Sequence, residues 1–393
     1  MQNETQIQPV DEELTDMDEL MLEPVEYKYP SIERLRIILM GLMCINLFGF
    51  PTSISPIIET ICGFVPIAFY IISGYLVLRE EDDRPARIKR AIKRSFIAFV
   101  SMTAVYFVIN YFYYNSQGID ILQYVTDKRF LFNFLFLNVW QFKIGVVIWY
   151  VQALLYAYII IFFLEKLRLL KFDWLFIIVL LIITVISGEL SGWIKWNILD
   201  YTYLPGNFFT RALPYILLGE FIHRNKPFFA SKSLYTYILG IVFGVSLSLV
   251  EVYILGLKNV EGYYGHLIGM GITAFCACCL AFKDDDFDIR LFETNLGFSR
   301  GYTNIIYYIC HPVGLLIQYL LTKLFSGYGD DFLSNIIGCA GILTFAVCFF
   351  FVYLLTFSKR KEVKRIKAEE IKFEEEMIAL EKENREPSEF MKL

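Results

Sequence analysis

Long apolar runs broken by short polar connections fill the chain from residue 34 to residue 357. They fall at 34–50, 57–78, 93–114, 145–165, 173–188, 208–222, 234–256, 263–282, 302–325 and 334–357. A helix needs roughly 20 apolar residues to cross the hydrocarbon of a bilayer, and most of these windows approach or exceed that length. An outer-membrane barrel would instead show segments of about ten residues with alternating polarity. The pattern predicts an all-α, polytopic membrane protein with about ten transmembrane helices.

The connections differ in charge. One set holds Arg84, Arg87, Lys89, Arg90, Lys93 and Arg94, then Lys166, Arg168 and Lys171, then Arg224, Lys226 and Lys232, then Lys283, Arg290 and Arg300. The opposite set has only Lys128, Arg129, Lys143, Lys195 and Lys258. Lysine and arginine accumulate on the cytosolic side, so the rich set is expected there, and about ten spans then put both termini in the cytosol of a plasma-membrane protein.

Two connections on the other side are long. Residues 115–144 contain FLFNFLFLNVWQF, too short and interrupted for a span, and read as interfacial or re-entrant. Residues 189–207 carry Trp193, Trp196 and Asp200, either an aromatic interface belt or a platform for an acceptor sugar. The expected division is an acidic tail over 1–30, a membrane domain over 31–358 and a charged cytosolic helix over 359–393. In that last helix Val363, Ile366, Phe373, Met377 and Leu380 follow a three-and-four pattern that Glu370 interrupts, over fewer heptads than a coiled coil needs. The acidic first thirty residues lack the basic and apolar regions of a cleaved signal peptide.

Composition agrees with the pattern: 56% of 393 residues are hydrophobic, 17% are aromatic, and mean hydropathy is +0.50. The net charge of −5 carries little information because charge is sorted by region. All eight cysteines lie in apolar stretches, as expected of buried thiols acting as small hydrophobes. The CACC run at 276–279 lacks the further ligands of a metal site, and no phosphate-loop, dinucleotide or hydrolase motif is present.

Ionisable residues within spans each cost about 2.5–3.5 kcal/mol at mid-bilayer on insertion scales, so the few present draw interest. Arg211 and Glu220 lie nine residues apart, two and a half turns, and so face opposite sides. His311 precedes Pro312, which removes a backbone donor and frees the carbonyl near Tyr308. A histidine there is either a packing residue bonded to a neighbouring helix or a proton carrier in a wet cavity. The run Arg87, Lys89, Arg90, Lys93 and Arg94 is either an anchor on anionic headgroups or a site for a polyanionic cytosolic ligand.

Four stretches together resemble one family. FVPIAFYIISGYL with the following RIKRAIKR resembles the second helix and cytosolic loop of the membrane acyltransferase 3 family. IWYVQALLYAYII, RALPYILLGEFIHR and GYTNIIYYICHPVGLL are similar to later helices of that family, in the same order. The resemblance covers about residues 31–357. It implies transfer of an acyl group, commonly acetyl, from cytosolic acyl-CoA to an extracytoplasmic polysaccharide or lipid-linked sugar. Acyl-CoA is then a co-substrate, with no other cofactor, no metal and no nucleic acid; membrane lipids surround the bundle. By resemblance Arg87, Arg90 and Arg94 contact CoA phosphates, and Arg36 is the arginine opening the first helix. Trp193, Trp196 and Asp200 are the acceptor-side candidates.

The chain departs from the family at one point. Its first helix, ERLRIILMGLMCINLFGF, lacks the histidine expected eleven residues after the arginine; Leu47 stands there, and Asn46 is the only polar candidate at that depth. An amide is a poor base. Either His311 serves as the base, or another residue does, or the chain keeps the scaffold without the reaction. The last alternative is a catalytically silent relative that binds or helps export a polysaccharide precursor.

Overall fold

The computed structural model describes residues 30–48, 54–78, 84–140, 142, 144–145, 147–187, 190, 207–257, 267–283, 300–327 and 330–355. Trp193, Trp196 and Asp200 lie outside the described residues, as do the acidic tail up to residue 29 and the C-terminal stretch from residue 356. All regular structure among the described residues is helical. The chain divides into two compact units, Met1–Phe345 and Ala346–Leu393; the described part of the second is the helical stretch 346–355.

The helices are α1 Pro30–Phe48, α2 Ser55–Cys62, α3 Val65–Val77, α4 Arg84–Asn115, α5 Ile121–Val125, α6 Lys128–Leu135, α7 Ile148–Lys166 and α8 Asp173–Ser187. They continue with α9 Phe208–Arg211, α10 Leu213–Arg224, α11 Lys226–Ala230, α12 Leu234–Leu257, α13 Ile268–Lys283, α14 Arg300–Leu324 and α15 Asp330–Gly338. After a turn at Cys339 the chain is helical again to residue 355.

Seven stretches among the described residues are long and apolar enough to cross a membrane. Three of the ten expected spans fall short of that standard for separate reasons. The first helix carries Glu33, Arg34 and Arg36 in its opening turns. The 208–222 window is broken at Ala212, giving α9 and α10. The eighth, α13, has 16 residues, about 24 Å of helix against a hydrocarbon thickness of roughly 30 Å.

Side-chain exposure is inverted relative to a water-soluble protein. Large apolar residues such as Phe112, Ile182, Leu239 and Phe243 are exposed along the helices, as lipid contact requires. Polar residues such as Asn110, Gln152, Asp173, Thr210, Glu220 and Thr303 are buried. At the centre stands α3, buried on nearly every side and packed against α1, α4, α10 and α13. Its close contact with α10 depends on two glycines. A Cβ on Gly74 would overlap the Ile216 carbonyl, and one on Gly219 would overlap the Ile71 carbonyl. Small residues let membrane helices approach to backbone contact.

Prolines set the breaks. Pro66 separates α2 from α3 within what reads in sequence as a single span. Pro214 breaks α9 from α10 and frees the Thr210 carbonyl, to which the Thr184 hydroxyl of α8 donates at 2.6 Å. Pro312 within α14 frees the Tyr308 carbonyl, to which the Tyr106 hydroxyl of α4 donates at 2.8 Å. At Pro214 and Pro312 a hydroxyl from another helix replaces the lost backbone donor, because hydrocarbon offers no water to do so.

The basic run at 87–94 is helical rather than a loop. It forms the first turns of α4, a 32-residue helix. Arginine, lysine, alanine and isoleucine are adequate helix formers, and Pro85 sits where the first turn needs no donor.

Candidate active site

At one face of the bundle, helix ends meet through charge. Arg84, at the start of α4, pairs with Glu220 of α10 at 3.2 Å and lies 3.7 Å from Glu165 near the end of α7. Arg224, at the end of α10, donates to Asp173 at the start of α8. Asp173 and Glu220 are both buried, and two guanidinium groups offset their charge. Close by, Tyr75 at the end of α3 stacks on Phe282 of α13 at 3.8 Å and meets His223 of α10 edge-on at 5.0 Å. Lys283 donates to the Lys232 carbonyl. The connections read as basic in the sequence therefore come together on one side. Arg211 and Glu220 do not pair: the Arg211 guanidinium lies 4.5 Å from the Trp149 ring centre instead.

Arg87, Arg90 and Arg94 follow Arg84 along α4 at spacings of three and four, so they share one face. Arg87 is half-buried; Arg90 and Arg94 are exposed. Arg84 is a member of the ionic cluster, a role that sequence reasoning, counting it merely as loop charge, did not assign.

From this face a line of polar groups enters the bundle. Arg36 of α1 is buried; it donates to Glu33 at 3.0 Å and to Asn304 of α14 at 3.3 Å. Farther along, the Tyr150 hydroxyl of α7 lies beside Ser73 of α3. Its ring stacks on Tyr70 at 4.6 Å and lies 5.4 Å from Tyr307. Tyr307, Tyr308 and His311 follow Asn304 by three, four and seven residues on α14, so one face carries them over about 10 Å of rise.

His311 is buried among Phe48 of α1, Tyr106 of α4 and an irregular strap between α6 and α7. Its Nδ1 accepts from the Gly145 backbone N–H at 3.2 Å. The strap belongs to the interrupted aromatic stretch at 115–144, and its described residues are largely buried. Asn138, Phe142, Ile144 and Val147 are all buried in it. Asn110 of α4 donates to the Ile144 carbonyl at 2.6 Å and accepts from the Ile144 N–H at 3.3 Å. Trp140 donates to that same carbonyl at 2.7 Å, and Asn138 donates to the Trp149 carbonyl at 2.9 Å. Non-helical backbone at membrane depth survives only when its polar groups are met in this way.

The structure brings Arg36 and His311 onto one polar line and keeps Arg87, Arg90 and Arg94 together on one helix face. Asn46 is half-buried two residues before Phe48, whose ring centre lies 5.9 Å from that of His311. Sequence reasoning passed over Tyr106, Asn110, Gly145, Tyr150 and Ser73. The proline-freed carbonyl at 308 was the available signal for Tyr106. Nothing local marked the others.

A chain whose described regular structure is helical, with apolar side chains outside and polar groups buried within, is a multi-pass membrane protein. It belongs to the acyltransferase 3 family: the family model described as an acyltransferase domain matches residues 29–357. The domain is that of a membrane acyltransferase. No curated protein and no solved structure matches the chain.

Proposed function

We propose that this protein transfers an acyl group, acetyl in the simplest case, from cytosolic acyl-CoA to a hydroxyl of an extracytoplasmic polysaccharide or lipid-linked sugar. The observation that carries the reading is the polar line from Arg36 and Asn304 to His311, set inside an apolar exterior. In this reading the basic face is cytosolic, with both termini on that side. Arg87, Arg90 and Arg94 present three guanidinium groups from one helix face, suited to the phosphates of CoA. The thioester arm follows the polar line towards His311, and Arg36, held by Glu33 and Asn304, marks its entrance. The acceptor arrives from the other side, where the stretch with Trp193, Trp196 and Asp200 would receive a sugar. Asn46 is the polar first-helix candidate in this reading.

The test is the acyl content of surface glycans in cells with and without the protein. The proposal expects ester-linked acyl groups that disappear with the protein and return with it. Unchanged acyl content contradicts it. A second reading, a silent relative that binds a polysaccharide precursor, is favoured by one feature: the first helix contains no histidine. Glycan binding by purified protein that binds no acyl-CoA would support that reading instead.

A further inference from the structure

We propose that His311 acts on the transfer as a fixed hydrogen-bond donor, its Nε2–H directed at the oxygen of the reacting carbonyl, and that Asn110 is a positioning residue holding the strap that fixes this tautomer. The inference rests on the acyltransferase reading and assigns a role within it.

The backbone N–H of Gly145 can only donate. Since it points at His311 Nδ1 at 3.2 Å, that nitrogen carries a lone pair. A neutral imidazole with a lone pair on Nδ1 carries its proton on Nε2. For Nε2 to take a proton from a substrate, the ring would have to begin with its proton on Nδ1, hydrogen against hydrogen with the Gly145 amide. The strap gives little room to escape this. Gly145 has φ +105°, a conformation L side chains rarely adopt. A Cβ there would meet Trp140 Nε1 at 2.9 Å and Tyr106 Cγ at 3.0 Å. The next residue back, Ile144, is gripped at both carbonyl and N–H by Asn110 and again at the carbonyl by Trp140. On the far side, Tyr307 donates to the Val147 carbonyl. Three side chains, Asn110, Trp140 and Tyr307, thus hold the segment that aims one amide at one ring nitrogen, while Phe48 and Tyr106 flank the ring.

A donor at this place has a defined task. The acceptor hydroxyl oxygen bonds to the thioester carbon, and the carbonyl π pair moves to oxygen. His311 Nε2–H donates to that oxyanion. The carbonyl re-forms as the carbon–sulfur bond breaks, and the hydroxyl proton ends on the departing CoA sulfur. The products are ester and free thiol, with no further reactant. The absent first-helix histidine fits a reaction in which the thiolate, not a side chain, is the final home of the proton.

The experiment uses the full chain in lipid nanodiscs with ¹⁵N-labelled histidine. There are three histidines, His223, His266 and His311, assigned by replacing each in turn. The expected wild-type spectrum at neutral pH has His311 protonated at Nε2 and bare at Nδ1. Asn110→Ala should yield a mixture of tautomers and slower transfer at normal abundance. In the acylation assay, His311→Gln keeps an N–H near the Nε2 position and should stay within about tenfold of wild type, whereas His311→Ala should lose roughly 10²–10³ in rate. A proton on Nδ1, or His311→Gln as inactive as His311→Ala at equal abundance, overturns the donor role. An Asn110→Ala protein with a wild-type spectrum and rate overturns the positioning role. If the wild type transfers no acyl group, the acyltransferase reading fails while the spectrum still decides the tautomer.

Discussion

At the residue scale, the molecule is governed by groups that cannot be left without partners in hydrocarbon. Pro312 and Tyr106 form one such pair: the proline takes a donor away and the tyrosine supplies one. Tyr106→Phe should therefore lower stability in detergent by about 1–2 kcal/mol. In a Pro312→Ala background, where the helix can regain its own bond, the same change should cost measurably less. Thermal unfolding of the two single variants and the double variant checks this, and equal losses in both backgrounds would refute the coupling. Arg84 makes a second case. Arg84→Ala strands the Glu220 carboxylate beside buried Asp173 and should cost about 3–5 kcal/mol. Arg94→Ala, at an exposed position farther along the same helix, should change stability by no more than about 0.5 kcal/mol. These roles were unevenly legible in the sequence. The freed carbonyl could be read from Pro312 alone. The partners of Arg84 could not, because Glu165 and Glu220 lie 81 and 136 positions away along the chain.

At the element scale, hydropathy located the helices well and their interruptions poorly. The window 57–78 reads as one span, yet Pro66 splits it into α2 and α3, and Pro214 splits the sixth window in the same way. Apolar side chains continue across both breaks, so a period-blind sum of hydropathy cannot register them. The third expected span, α4, begins at Arg84 rather than near residue 93, because its charged opening turns lie outside any apolar window. Close packing was also invisible: Gly74 and Gly219 look like any glycine in a membrane helix until α3 and α10 are seen touching. Gly219→Ala should force these helices apart and lower stability by about 1–3 kcal/mol or more. Gly256→Ala, where an added methyl meets nothing within 4 Å, should be tolerated. Folded yield and melting temperature in detergent distinguish the two outcomes, and equal behaviour would argue against the α3–α10 contact.

At the scale of the whole molecule, charge sorting along the sequence and ion pairs in space select the same face, although they are independent observations. Counting lysines and arginines named the connections; Arg84, Arg224 and Lys283 show that the helix ends meet. An interior line of polar groups ending on His311 was not predictable, since it is assembled from five helices and a strap. The central claim joins that face to acyl-CoA, and acetyl-CoA binding by the purified protein in nanodiscs tests it most directly. The account predicts saturable binding that weakens at least about a hundredfold when Arg87, Arg90 and Arg94 are together replaced by alanine, with the protein still folded. Wild-type protein that binds no acetyl-CoA, or binding indifferent to those three arginines, would contradict it.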